Sequence, residues 1–73
     1  MKSITLLIPV YNEKSVLPKL FDRLDDVAKN TPNYQFEFLF INDGSVDESL
    51  SVITNQTQKD TRISYINLSR NFG

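Results

Sequence analysis

The 73-residue chain contains no cysteine and no histidine. That double absence excludes disulfides, thiolate nucleophiles, imidazole bases and the common zinc sites from this segment. Any metal it helped to hold would be bound through oxygen, which suits Mg²⁺ or Mn²⁺. Glycine is nearly absent as well, with only Gly44 and Gly73. No G-x-G-x-x-G follows the first apolar run and no G-x-x-x-x-G-K-[ST] occurs, so the dinucleotide phosphate turn and the P-loop are both missing. The glycine-rich loop that sugar nucleotidyltransferases place after their first strand is replaced by Pro-Val-Tyr-Asn-Glu. There is no serine nucleophile elbow. No charge of one sign dominates, since eight basic residues face nine acidic ones. A broad electrostatic footprint for nucleic acid or anionic lipid is therefore not expected. The aromatics sit in apolar runs and not between clustered Lys and Arg, so no nucleic-acid partner is expected. No apolar stretch approaches the roughly 20 residues that a membrane span needs.

What remains is the composition of an ordinary globular protein, 40% hydrophobic and 23% charged, in a chain long enough for one small core. The opening MKSITLLIPV places a lysine before an apolar run, as a signal peptide would. Thr5 and Pro9 interrupt that run, and Tyr11, Asn12 and Glu13 follow where small cleavage-site residues would stand. A first strand is the reading adopted; the absence of cysteine is compatible with the cytosol, and the segment is expected to be cytoplasmic.

Ile4, Leu6, Leu7 and Ile8 have the near-continuous apolar character of a strand buried on both faces, ending at Pro9, which cannot donate to a ladder. Val16, Leu17, Leu20, Leu24, Val27 and Ala28 recur at spacings of three and four, marking a helix. Ser15 is its expected N-cap, Pro18 falls in its first turn, and it should end near Asn30, ahead of Thr31-Pro32. Phe36, Phe38, Leu39, Phe40 and Ile41 form a second buried strand that stops at Asn42-Asp43-Gly44-Ser45. Ser45 and Glu48 are spaced as an S-x-x-E capping box, so a second helix is expected to start there. Leu50, Ile53 and Val46 would give its apolar face, while the polar stretch from Thr54 to Asp60 should fray. Ile63, Tyr65, Ile66 and Leu68 form a third strand. Strand, helix, strand, helix, strand implies an α/β fold with parallel strands and right-handed crossovers. Three strands leave a sheet edge unpaired, and residues 1–73 read as the first part of a larger domain.

Ligands of open parallel sheets bind at the carboxyl ends of the strands. Two of those ends are polar and specific here: Pro9-Val10-Tyr11-Asn12-Glu13 and Asn42-Asp43-Gly44-Ser45-Val46-Asp47. Tyr11 offers a face to a planar base and Pro9 a rigid apolar edge. Glu13 and Asp43 offer carboxylates to a base N–H or to ribose hydroxyls. Gly44 allows a tight turn and a close backbone approach, and Ser45 opens a helix whose first amides favour an anion. Taken singly, each has an ordinary structural explanation: a strand-to-helix turn, a helix cap, a surface aromatic, a solvated charge. Their joint placement at adjacent strand ends points to a nucleoside pocket.

The same residues resemble the family 2 glycosyltransferases of the GT-A fold. Pro9, Tyr11, Asn12 and Glu13 match P-x-Y-N-E, and Asp43, Gly44, Ser45 and Asp47 match D-D-G-S-x-D, with Asn42 in place of the first aspartate. Leu68-Ser69-Arg70-Asn71-Phe72-Gly73 looks most like the polyprenyl-phosphate branch, which includes dolichol-phosphate mannose synthases. The resemblance implies a three-layer Rossmann-like βαβαβ arrangement, the N-terminal part of an incomplete nucleotide-sugar-binding domain. It implies an enzyme that moves a sugar from a nucleoside diphosphate sugar to an acceptor, a polyprenyl (lipid) phosphate in this branch. Pro9, Tyr11, Glu13, Ile41 and Asp43 would form the nucleotide-binding site, with Asp43 reading a ring nitrogen. Arg70 would lie near the phosphates or support its loop.

The resemblance also implies what the segment lacks. The D-x-D pair that holds a divalent metal, Mg²⁺ or Mn²⁺, and the catalytic base both come later in the family. No catalytic residue and no metal ligand is therefore assigned among the 73 residues, and the segment alone is expected to be inactive. The parent is expected at the cytoplasmic face of a membrane. Two alternatives remain open: a non-catalytic nucleotide-binding module, or one that self-associates through its unpaired sheet edge.

Overall fold

The computed structural model describes residues 2–44 and 48–68. It contains β1 (Lys2–Val10), α1 (Leu17–Lys29), β2 (Tyr34–Asp43), α2 (Ser49–Lys59) and β3 (Ile63–Leu68). The strands form one parallel sheet in the order β1-β2-β3. The βαβαβ chain of parallel strands is thus the α/β arrangement read from the sequence.

Both crossovers step in the same direction along the sheet, and right-handed connections then place both helices on one face. The core lies between them. Phe36, Phe38 and Phe40, alternate residues of β2, are buried against Leu17 and Leu24 of α1 and Ile53 of α2, with Val10 and Ile63 completing the cluster. Phe21 of α1 meets Phe40 edge-on, with ring centroids 5.4 Å apart and planes at 66°. Such a pair adds roughly 0.5–1.5 kcal/mol beyond its buried area.

The described residues hold two of the three expected layers, the sheet and one helical layer. The opposite face of the sheet is bare, so β1 alternates between half-buried and exposed and is not buried on both faces. Leu7 is 62% exposed on that bare face, and Ile66 and Leu68 are exposed at its other end.

Four local expectations are corrected. β1 does not stop at Pro9 but runs to Val10, with Pro9 paired to Ile41. β1 is an outer strand of this sheet, where a proline can be accommodated. Ser15 does not cap α1. The N-cap is Val16 with no side-chain cap, and the Glu13 carbonyl instead accepts the N–H groups of Val16 (3.0 Å) and Leu17 (3.2 Å). Pro18 does fall in the first turn, and Asn30 is the C-cap.

The second helix begins at Ser49, with Glu48 as N-cap and no side-chain cap bond. Glu48 has a non-helical backbone, and its carboxylate pairs with Lys14 at 2.9 Å instead of closing a box. The other half of the expected box, Ser45, lies outside the described residues, as do Val46, Asp47 and Arg70. Finally, the polar end of α2 does not fray before Lys59. The Thr54 and Thr57 hydroxyls donate to the carbonyls three residues back, and the Asp60 N–H closes the last turn on the Gln56 carbonyl.

Candidate functional site

The parallel register decides which polar residues meet. Pro9 is the cross-strand partner of Ile41, and Val10 of Asn42. Side chains alternate along a strand, so Ile41 and Asp43 share the face turned away from the helices, beside Pro9. Tyr11, just past the end of β1, is 53% exposed, and Glu13 is half-buried in the same loop. Asn12 between them takes φ 51°, a left-handed conformation that asparagine tolerates better than most residues. Gly44 has φ 69° and turns the chain directly after Asp43, where glycine carries no Cβ penalty. The five expected site residues therefore lie at two adjacent strand ends, on the carboxyl side of the sheet.

Asn42 explains itself by its position. It faces the helical side, is 2% exposed, and donates from Nδ2 to Asn67 Oδ1 at 3.0 Å across β2 and β3. A charged carboxylate at that depth would be costly without a compensating partner. The neutral amide keeps the register position beside Val10 without burying a charge.

Two tethers bind the first loop to the start of α2. The Glu13 N–H donates to the Ser49 Oγ at 2.9 Å, and Lys14 pairs with Glu48 at 2.9 Å. Neither was legible in the sequence. The partners are more than thirty positions apart, and Ser49 reads as one polar residue among several. The only available signal was the opposite charge of Lys14 and Glu48 beside the two loops.

Two clefts lie toward the other end of the sheet. One, lined by Phe21, Asp25, Gln56, Asp60 and Arg62, opens between the helices. An ion-pair cluster lines it. Arg62 grips Asp60 with two bonds, Nε to Oδ1 at 2.9 Å and Nη2 to Oδ2 at 2.6 Å, and also reaches Asp25 at 3.1 Å. The guanidinium lies 5.4 Å from the Phe38 ring centre. Its hydrogen bonds hold the Asp60 carboxyl below the usual carboxylate range. Lys29 first, then Arg62, do the same for Asp25. The cations and carboxylates satisfy one another, so this cluster reads as a clamp between α1 and the entry to β3. The strand-end loops remain the candidate site. Among the described residues no three acidic side chains come together to hold a metal ion. No ligand of the divalent metal expected of the complete enzyme is assigned among the described residues.

The model of glycosyl transferase family 2 matches residues 5–73, from within β1 through both loops, β2 and β3. The chain belongs to glycosyl transferase family 2. Among curated relatives it is 39% identical over 69 residues, 94% of this chain, to the uncharacterized glycosyltransferase YkcC of Bacillus subtilis (strain 168). It is 38% identical over a 74-position alignment that covers all of this chain to an undecaprenyl-phosphate 4-deoxy-4-formamido-L-arabinose transferase of Klebsiella pneumoniae. It is 34% identical over 70 residues, 96% of its length, to the bactoprenol glucosyl transferase of Shigella phage SfV. The chain spans only 21–22% of the length of these family 2 relatives.

Proposed function

We propose that the full-length protein carrying this chain is a glycosyltransferase that moves a sugar from a nucleoside diphosphate sugar to a polyprenyl phosphate, and that this chain supplies its nucleotide-binding part. The observation that carries the reading is the placement of Pro9, Tyr11, Glu13, Ile41 and Asp43 on two adjacent strand ends of a family 2 chain. The acceptor part of the reading is supported by the relatives, two of which are named for undecaprenyl phosphate or bactoprenol. A lipid-phosphate acceptor suits a membrane-associated parent, although no helix among the described residues is long and apolar enough to cross a membrane.

In this reading Pro9 and Ile41 form an apolar edge against which the base rests. Tyr11, exposed beside them, supplies a stacking face; base–aromatic stacking is worth about 1–3 kcal/mol. Asp43 accepts a ring N–H of the base, which gives the site its preference between bases. Glu13 accepts a ribose hydroxyl. Two carboxylates are poor neighbours for phosphates, so the diphosphate extends away from them, past Gly44, whose missing side chain leaves the backbone accessible. These contacts bind and orient the donor; the reacting groups at the anomeric carbon belong to other parts of the protein. Titration of the full-length protein with UDP and GDP tests the site, and transfer of labelled sugar to a polyprenyl phosphate tests the acceptor.

One observation favours a second role. Among the described residues β3 is paired only to β2, and its Tyr65, Ile66 and Leu68 are exposed. An open edge of that kind recruits another strand, so self-association through β3 is the alternative. Light scattering showing a strict monomer removes it.

A further inference from the structure

We infer that Ser49 is a positioning residue for the nucleotide loop, its buried hydroxyl setting where Tyr11 and the Glu13 carboxylate stand at the end of β1. The inference rests on the nucleotide-binding reading above.

Ser49 and Asn42 are the two buried polar residues among those described, and Ser49 is 0% exposed. A serine opening a helix ordinarily serves that helix as a cap. Ser49 is not the N-cap, which is Glu48 and makes no side-chain cap bond. Its Oγ instead accepts the N–H of Glu13, 36 positions earlier. The carbonyl of the same Glu13 is held by the amides of Val16 and Leu17 at the start of α1. One residue of the loop is thus gripped at both backbone polar groups, each from a different helix start. Asn12 immediately before it is committed to a left-handed turn, so the loop has few ways to relax. The Lys14–Glu48 pair spans the same gap, but its side chains are 49% and 71% exposed. Exposed ion pairs contribute little, so the buried Ser49 bond carries the restraint.

A loop held in its binding geometry binds with its full intrinsic affinity. A loop that visits that geometry only part of the time binds more weakly, in proportion to the time spent there. Losing the Ser49 oxygen therefore weakens nucleotide binding without touching any group that meets the nucleotide.

The test is calorimetric titration of the full-length protein with UDP and with GDP, comparing Ser49→Ala, Ser49→Thr, Val52→Ala and Asp43→Ala with the parent. Ser49→Ala should raise the Kd for the nucleotide that binds by about tenfold while leaving the stoichiometry intact. Ser49→Thr keeps the oxygen and should stay within about twofold of the parent. Val52→Ala loosens the same helix away from the loop and should leave Kd unchanged. A purely structural serine would lower the bound fraction and not the affinity. That result, or equal effects of Ser49→Ala and Val52→Ala on Kd, overturns the inference. If Ser49→Ala does not fold, Ser49→Cys replaces it, with similar size and a much poorer acceptor, under the same outcomes. Weakening by Asp43→Ala but not by Ser49→Ala sinks the positioning role alone. Binding of neither nucleotide to the parent protein sinks the nucleotide site and this inference with it.

Discussion

Pro9 stands directly opposite Ile41 across the parallel β1–β2 ladder. That one register position brings together two stretches of sequence thirty residues apart. It sets an apolar edge between the Tyr11 loop on one side and Asp43 on the other. A slip of one residue would turn Ile41 and Asp43 toward the helices and send Phe40 and Asn42 outward. The register is held by burial of Phe36, Phe38 and Phe40, whose alternation leaves Ile41 and Asp43 on the outer face. Core packing and site geometry are therefore consequences of the same strand.

Removing a β2 phenylalanine should cost the fold heavily. Phe40 is fully buried and meets Phe21 edge-on, so Phe40→Ala should destabilise by about 3–5 kcal/mol and Phe40→Leu by clearly less. Thermal unfolding followed by circular dichroism measures both. Equal, small effects would mean that the β2 face is not the core.

Stacking on Tyr11 gives a sharper functional expectation. Tyr11→Ala should weaken UDP or GDP binding by about 1–3 kcal/mol, whereas Tyr11→Phe keeps the ring and should bind nearly as the parent does. An alanine variant with unchanged affinity, measured by titration, would take Tyr11 out of the base site.

Gly44 has φ 69°, a conformation that a residue with a Cβ reaches only at a cost of about 1–2 kcal/mol. Gly44→Ala should lower stability by about that amount and weaken nucleotide binding, because the turn directly follows Asp43. Gly44→Ala with parental stability and affinity would show that the turn imposes no such demand.

The Asp60–Arg62 clamp carries a pH signature. The folded state holds the Asp60 carboxyl below its ordinary 3.8, chiefly through the Arg62 hydrogen bonds. Near that pH the unfolded chain binds more protons, so the clamp's contribution is complete above about pH 4 and fades as pH falls through the lower folded value. Asp60→Asn should therefore cost about 1–2 kcal/mol at neutral pH, and the gap to the parent should close below about pH 4. Unfolding curves for both proteins between pH 2 and 8 check this; a gap that widens in acid contradicts it.

The strands and helices were legible because their signals are local. The apolar run Phe36, Phe38, Leu39, Phe40 and Ile41 announces β2, and leucines at three- and four-residue spacing announce α1. The loops were legible as chemistry because Pro9-Val10-Tyr11-Asn12-Glu13 and Asp43-Gly44 concentrate uncommon residue types at strand ends. Helix starts were read less well. Ser15 and the Ser45–Glu48 spacing look like caps, yet the α1 amides are met by the Glu13 carbonyl and Glu48 turns to Lys14. Both outcomes depend on partners that no local pattern names. The bare sheet face was hidden for a related reason. Leu7 and Ile66 are as apolar as the core residues, and only the order β1-β2-β3 reveals that both helices lie opposite them. The Glu13–Ser49 bond is the extreme case, joining two ordinary polar residues through the fold alone.

The most direct test of the nucleotide site is calorimetric titration of the full-length protein with UDP and GDP beside its Asp43→Ala variant. The account predicts that the parent binds one nucleotide in preference to the other, and that the variant loses most of that affinity and the preference with it. Equal binding of both nucleotides by parent and variant alike would contradict it.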